Sequence, residues 1–225
     1  MDGAQSKEQD MTAAPSERSR VKRLNQRGKY DAATVHAILD AMPVCHVGYI
    51  FKGGPFVTPT LQWREGDHIY WHGSSASRML ETCDGAEICV TVTIIDGMVM
   101  ARAAFHHSCN YRLVMVFGRA HKITDPAEKE ARLRNFTNRL YPGRWDILRP
   151  VTAKELKATT MLGLSLDEAS AKVRNGPPGD DEEDYALPIW AGVIPTRVQI
   201  LPPVDDPRIL PGLAPPAHAN GFKIG

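Results

Sequence analysis

No run in this sequence approaches the roughly 20 apolar residues that a helix needs to cross a bilayer, which argues against a helical membrane protein. Cysteine is scarce: Cys45, Cys83, Cys89 and Cys109 stand at unpaired spacings. Disulfide scaffolds and standard zinc templates both need paired cysteines, so these read as reduced thiols and no metal site is expected. An excess of one charge is also missing. With 27 Lys and Arg against 26 Asp and Glu, the net charge of +1 offers no field for nucleic acid or an anionic membrane. The chain opens Met1-Asp2-Gly3 and stays polar, without the apolar core of a secretory leader. These absences imply a cytoplasmic protein whose partners are neither nucleic acid nor membrane. A Walker or dinucleotide glycine pattern is absent too, and no spacing argues for Ser-His-Asp or Cys-His catalysis.

The 225 residues suffice for one domain with appendages and a real core. Residues 1–28 are polar and read as a disordered tail. The domain follows over 29–201, and residues 202–225, rich in proline, read as irregular. The basic run from Arg18 to Lys29 and the acidic run Asp180–Asp184 read as solvated segments. Asp31 is placed to cap a helix over Ala32–Met42, with Val35, Ile38, Leu39 and Met42 on one face and Pro43 ending it. The pattern then turns to strands: Val44–Phe51, Phe56–Trp63 and His68–His72, separated by Gly53-Gly54-Pro55 and Glu65-Gly66-Asp67 turns. Ser74–Glu81 reads as a turn or two of helix. Glu87–Ile95 is β-branched, and Asp96-Gly97 reads as a turn into Met98–Ala104. Tyr111–His121 is a further strand, Pro126–Leu140 the one long amphipathic helix, and Thr152–Ala158 a second. Strands near Met161–Leu166 and Val193–Ile200 complete the list. Short strands with tight turns and few helices between them argue for a mainly β protein, an antiparallel barrel with peripheral helices.

Two segments are rich in chemistry. In Ile69–Arg78 a strand ends at Gly73, hydroxyls cluster at Ser74, Ser75 and Ser77, and an Arg opens a helix. Free amides, hydroxyls and a guanidinium suit a phosphate, although the same residues read equally as a Ser cap beside a surface Arg. In Phe105–Arg112, donors crowd ahead of an apolar strand, where they could hydrogen-bond a heteroaromatic edge. His72 could donate a proton in a redox step, or simply shape a pocket.

The strand around Pro59-Thr60-Leu61-Gln62-Trp63-Arg64 and the turn His72-Gly73-Ser74 to Ser77-Arg78 resemble the pyridoxamine-phosphate-oxidase-related, FMN-binding split-barrel proteins. So do His107–Arg112 before Val-Met-Val-Phe-Gly, and Leu187–Pro195. The resemblance covers about residues 28–200 and is closest to a branch related to the nitroimidazole-resistance proteins. It implies a Greek-key split barrel with flavin mononucleotide (FMN) at the interface of a homodimer, and a small-molecule substrate. Carried over by position, Pro59, Thr60, Leu61 and Gln62 flank the isoalloxazine, while Trp71 and His72 lie at the ribityl chain and Gly73 and Ser74 begin the cofactor-binding turn. Ser77 and Arg78 hold the phosphate, Asn110, Tyr111 and Arg112 approach from a neighbouring strand, and Trp190 comes from the partner subunit. Arg112 or Arg64 could place positive charge at the flavin's pyrimidine edge. The implied activity is passage of electrons from a reduced nicotinamide-type donor to a small acceptor. The alternatives are a flavin- or haem-binding module without turnover, and a nitroreductase. The segment Leu201–Arg208 lacks the Arg-Leu-His-type motif of true pyridoxamine phosphate oxidases, which argues against vitamin B6 oxidation.

Overall fold

The computed structural model describes residues 13–225. The short strand β1 (Gly28–Lys29) precedes α1 (Ala32–Ala41), whose N-cap Asp31 accepts a hydrogen bond from the Thr34 amide. Next come β2 (Val44–Phe51), β3 (Gly54–Glu65), β4 (His68–Ser74), α2 (Arg78–Cys83), β5 (Glu87–Met100) and β6 (Ser108–Arg119). The chain continues through β7 (His121–Lys122), α3 (Pro126–Leu140), α4 (Ala153–Ala158), β8 (Thr159–Ser165), β9 (Glu168–Arg174), β10 (Gly192–Pro195) and α5 (Ala217–Asn220). The strands form one antiparallel sheet in the order β1-β9-β6-β5-β2-β3-β4-β8-β7, with β10 added to β5. The sheet curls into a split barrel, so that Leu164 of β8 comes against Gly118 of β6, where a Cβ would sit 3.0 Å from the Leu164 side chain. Among the described residues no helix is long and apolar enough to cross a membrane.

Two apolar clusters hold the fold. Inside the barrel, Val47, Trp71, Val90, Val92, Val116, Leu162 and Leu164 pack under Val35, Ile38 and Leu39 of α1. Outside it, Trp63, Tyr70, Ile123 and Met161 are covered by Leu133 and Phe136 of α3. Strand alternation divides β4 between them: Ile69 and Trp71 face inward, Tyr70 and the neighbouring His72 face α3. Glu65 fastens α3 to the barrel, accepting from Trp63 Nε1 at 2.6 Å, from Asn135 at 2.7 Å and from Arg132 at 2.5 Å.

Several expectations change, beginning with the strand expected near Val193–Ile200, which spans only Gly192–Pro195. Asp96-Gly97 is no reversal; β5 runs through it with a register irregularity between Ile95 and Gly97. The reason is that β10 lies on this stretch, pairing Ile194 with Met98, so close that a Cβ at Gly97 would meet Val193 at 2.9 Å. Strand β9 was not legible, because Lys172 and Arg174 break its apolar pattern. Of the expected disordered tail, residues 1–12 lie outside the described residues, but 13–27 lie against the barrel. Arg18 there bonds Glu87 and Glu168, and Lys172 donates to the Arg23 carbonyl at 3.1 Å. The C-terminal segment is irregular apart from α5, and it returns to the barrel: Phe222 meets Tyr141 at 5.6 Å between ring centroids, and the Gly225 amide donates to the Ala41 carbonyl.

Candidate functional site

The turn from β4 into α2 has donors to spare. The Ser75 amide donates to Ala158, the Ser77 amide to the Ser74 carbonyl, and the Ala76 amide to Ser74 Oγ. These bonds fix the turn, yet the Ser77 side chain caps nothing. Arg78 is exposed, and its guanidinium lies over Phe51 and Phe56 at 5.0 and 4.8 Å from the ring centroids. Among the described residues no carboxylate pairs with it. The two phenylalanines flank the β2–β3 hairpin tip; they hold the fork in place and leave its edge free. A free hydroxyl beside a positioned guanidinium fits a phosphate ester. The aromatic pair went unnoticed in the sequence, although its only signal, Phe51 and Phe56 around a glycine turn, is visible there.

The outer face of β2 and β3, opposite the side on which Phe51 and Phe56 pack, is apolar and uncovered. Val57 and Leu61 are 67% and 41% exposed, with Val44, Ile50 and Pro59 around them. Register pairs Val44 with Leu61 and His46 with Pro59, so these side chains share one surface. Thr60, half-buried, turns to the opposite face, where it pairs with buried Cys45. Gln62 is committed elsewhere: buried, it donates to the Leu39 and Met42 carbonyls at 2.7 and 2.9 Å and ties the end of α1 to β3. The Trp71 indole points into the barrel, where its Nε1 has no hydrogen-bond partner.

His72 sits between Trp63 and Phe136, at 5.8 and 4.9 Å between ring centroids. Its Nδ1 is buried without a partner, and burial pushes its pKa below the usual 6.5. The unfolded ring takes a proton below about pH 6.5 while the folded ring resists it, so this residue makes stability fall as pH drops. Above that range it has no effect. Urea unfolding at pH 7.5 and 5 should therefore show a smaller acid loss for His72→Phe than for wild type; equal losses would mean the ring protonates freely in the fold.

The remaining candidates lie at the other end of the sheet. Tyr111 and Arg112 pair with Ile95 and Ile94. Asn110 is buried, bonded to Arg174 and to the Gly176 carbonyl. Arg112 is held by Asp96 at 2.9 and 2.8 Å, and Arg64 by Asp40 at 2.8 and 2.6 Å, so neither is a free positive charge. Trp190 is 64% exposed against Gly192 at the start of β10, which pairs with Met100. β5 begins just after α2 and reaches Met100 after roughly 40 Å of strand. Within one chain the β4–α2 turn and Trp190 are therefore kept apart. Tyr185, Leu187, Ile189 and Ile194 are exposed around Trp190, an apolar patch of the kind that marks an interaction surface. Among the described residues no three His, Cys, Asp or Glu side chains gather as a metal site.

The pyridoxamine 5′-phosphate oxidase family model matches residues 31–173. The structure titled flavocytochrome Anf3 from Azotobacter vinelandii is 55% identical with a TM-score of 0.92, over 94% of this chain and 99% of that one. The structure titled FAD and heme binding protein from Mycobacterium smegmatis is 34% identical with a TM-score of 0.84, over 88% and 97%. A Bacteroides thetaiotaomicron structure titled as a 5-nitroimidazole antibiotic resistance protein shares the fold at 19% identity and a TM-score of 0.52, over 65% and 86%. No curated protein matches the chain.

Proposed function

The chain belongs to the pyridoxamine 5′-phosphate oxidase family, and from that premise we propose that it is a cytoplasmic, homodimeric flavoprotein that moves electrons between small molecules. The observation that carries this reading is the pair of uncommitted donors, Ser77 and Arg78, held at the β2–β3 hairpin tip by Phe51 and Phe56. Ser77 and Arg78 would hold a flavin phosphate, and Pro59 and Leu61 would border the ring. A two-fold copy would bring Trp190 and the Asn110–Arg112 end of one subunit to the phosphate turn of the other, burying both apolar patches. The bound flavin supplies the redox chemistry; the protein orients it and excludes water. With Arg112 and Arg64 both paired, the phosphate turn is where this chain offers free positive charge to the cofactor.

Sequence resemblance implies FMN. The Mycobacterium smegmatis relative is titled as binding FAD, and we take FAD as the flavin here. Haem is the second cofactor we propose, because two relatives at 55% and 34% identity are titled as flavocytochrome and haem binding. His72, its ring kept neutral by burial and its Nδ1 unpartnered, would be a residue to hold the haem iron. His46, exposed on the apolar face of β2, is the other imidazole placed for that role. The purified protein should show flavin bands and a Soret band, and acid should release FAD. Release of FMN would correct the flavin, a spectrum without a Soret band would remove the haem, and a colourless protein that ignores both flavins would overturn the reading. Loss of the Soret band in His72→Ala but not His46→Ala assigns the ligand. Sedimentation over a dilution series should show a dimer that tightens when flavin is bound, since a ligand shared by two subunits stabilises their assembly.

A further inference from the structure

Between α3, α4 and the start of β8, reaching Glu81 of α2 and Ser75 of the turn before it, the structure holds a cavity of about 430 Å³. Lys122, Lys129 and Lys157 line it together with Ser75, Thr124 and the single acid Glu81. Lys129 is the unusual member. Only 9% exposed, it donates to the Leu156 and Thr159 carbonyls at 3.0 and 2.9 Å, which leaves its third N–H unclaimed. Among the described residues no carboxylate pairs with any of the three lysines. Burial, and after it the charge of Lys122, lowers the pKa of Lys129. A buried ammonium facing like charge is costly unless a counter-charge meets it, and nothing in the flavin reading uses this one.

We propose that this cavity binds the phosphate group of a small phosphorylated metabolite, at a site whose charge comes from the three lysines and not from Arg78. The charges match. Three ammonium groups less the Glu81 carboxylate leave two positive charges on the lining, and a phosphate monoester carries about −1.5 to −2 at pH 7. The Ser75 and Thr124 hydroxyls add neutral donors, and the volume leaves room for an organic group behind the phosphate. Its lining gives a bound phosphate a direct contact with the turn that carries Ser77 and Arg78, because Ser75 belongs to that turn and bonds Ala158.

The test is calorimetric titration of the full chain, saturated with its flavin, with inorganic phosphate. Saturable binding is expected, weakened about tenfold or more in Lys122→Ala and in Lys157→Ala, each of which removes a charge-assisted contact. Both lysines are exposed, so these variants keep the fold, whereas Lys129→Met can unseat α4 and serves only as a third arm. Lys154→Ala, at an exposed α4 lysine outside the lining, should leave phosphate binding unchanged. Three results would overturn the site: no saturable binding, as when the flavin's own tail fills the cavity; loss in Arg78→Ala but not in Lys122→Ala or Lys157→Ala; or an equal response to chloride at matched ionic strength. Failure of the flavin reading shows separately, as a colourless protein, and leaves the lysine titration intact.

Discussion

Trp71→Ala is expected to cost about 3–5 kcal/mol of unfolding free energy. The indole is fully buried on the inward side of β4, among Val47, Val90, Val92 and Leu162. These neighbours sit on hydrogen-bonded strands that cannot collapse into the space left by truncation, so the loss of apolar burial and the cavity both count. Trp71→Phe separates a packing role from a cofactor role. The indole Nε1 is buried without a partner, so a phenyl ring removes an unsatisfied donor along with some volume, and the net loss should stay under about 1.5 kcal/mol. Urea unfolding gives both values. The folded fraction of each variant should bind flavin like wild type, because the indole faces the barrel interior. A Trp71→Phe protein with near-normal stability and a large loss of flavin affinity would show that the side chain reaches the cofactor instead.

Arg78→Ala should weaken flavin binding by about 2 kcal/mol, roughly thirtyfold, through loss of a charge-assisted contact to phosphate. Riboflavin, which has no phosphate, should bind wild type and variant alike. Arg78→Lys should fall between them, since it keeps the charge and loses the planar fork. The stability of the apo protein should change by no more than about 1 kcal/mol, the scale of an exposed cation–π contact with Phe51 and Phe56. Fluorescence titration with FMN, FAD and riboflavin reads all of this. If riboflavin loses as much affinity as the phosphorylated flavins, Arg78 supports the hairpin tip and does not hold a phosphate.

Whatever depends on neighbours in sequence was determined by the sequence itself. Asp125 and Pro126 start α3, where Asp125 accepts from the Glu128 amide at 2.7 Å, and the apolar spacing carries it to Leu140. The Thr152 capping box starts α4 in the same way. The glycine turn at 53–54 closes a hairpin whose strands pair Val44 with Leu61 through Phe51 with Gly54. Caps and tight turns are short-range devices that need no partner. The β4–α2 turn belongs to this class: its residues are contiguous, and the structure leaves the Ser77 hydroxyl and the Arg78 fork uncommitted. What the tertiary structure alone decided is which face each side chain took and which distant residues came near. Gln62 reads as a strand residue open to a ligand, but α1 packs over it and claims its amide for two helix-end carbonyls. Arg112 and Arg64 read as free cations until Asp96 and Asp40 are seen against them. Strand β9, with Lys172 and Arg174 in its pattern, is a strand because β6 and β1 pair with its two edges. The Asp96-Gly97 dipeptide carries a strong local turn signal, yet β10, almost a hundred residues later, holds it in an extended strand, since ladder hydrogen bonds and packing against Gly97 outweigh a preference worth a fraction of their sum.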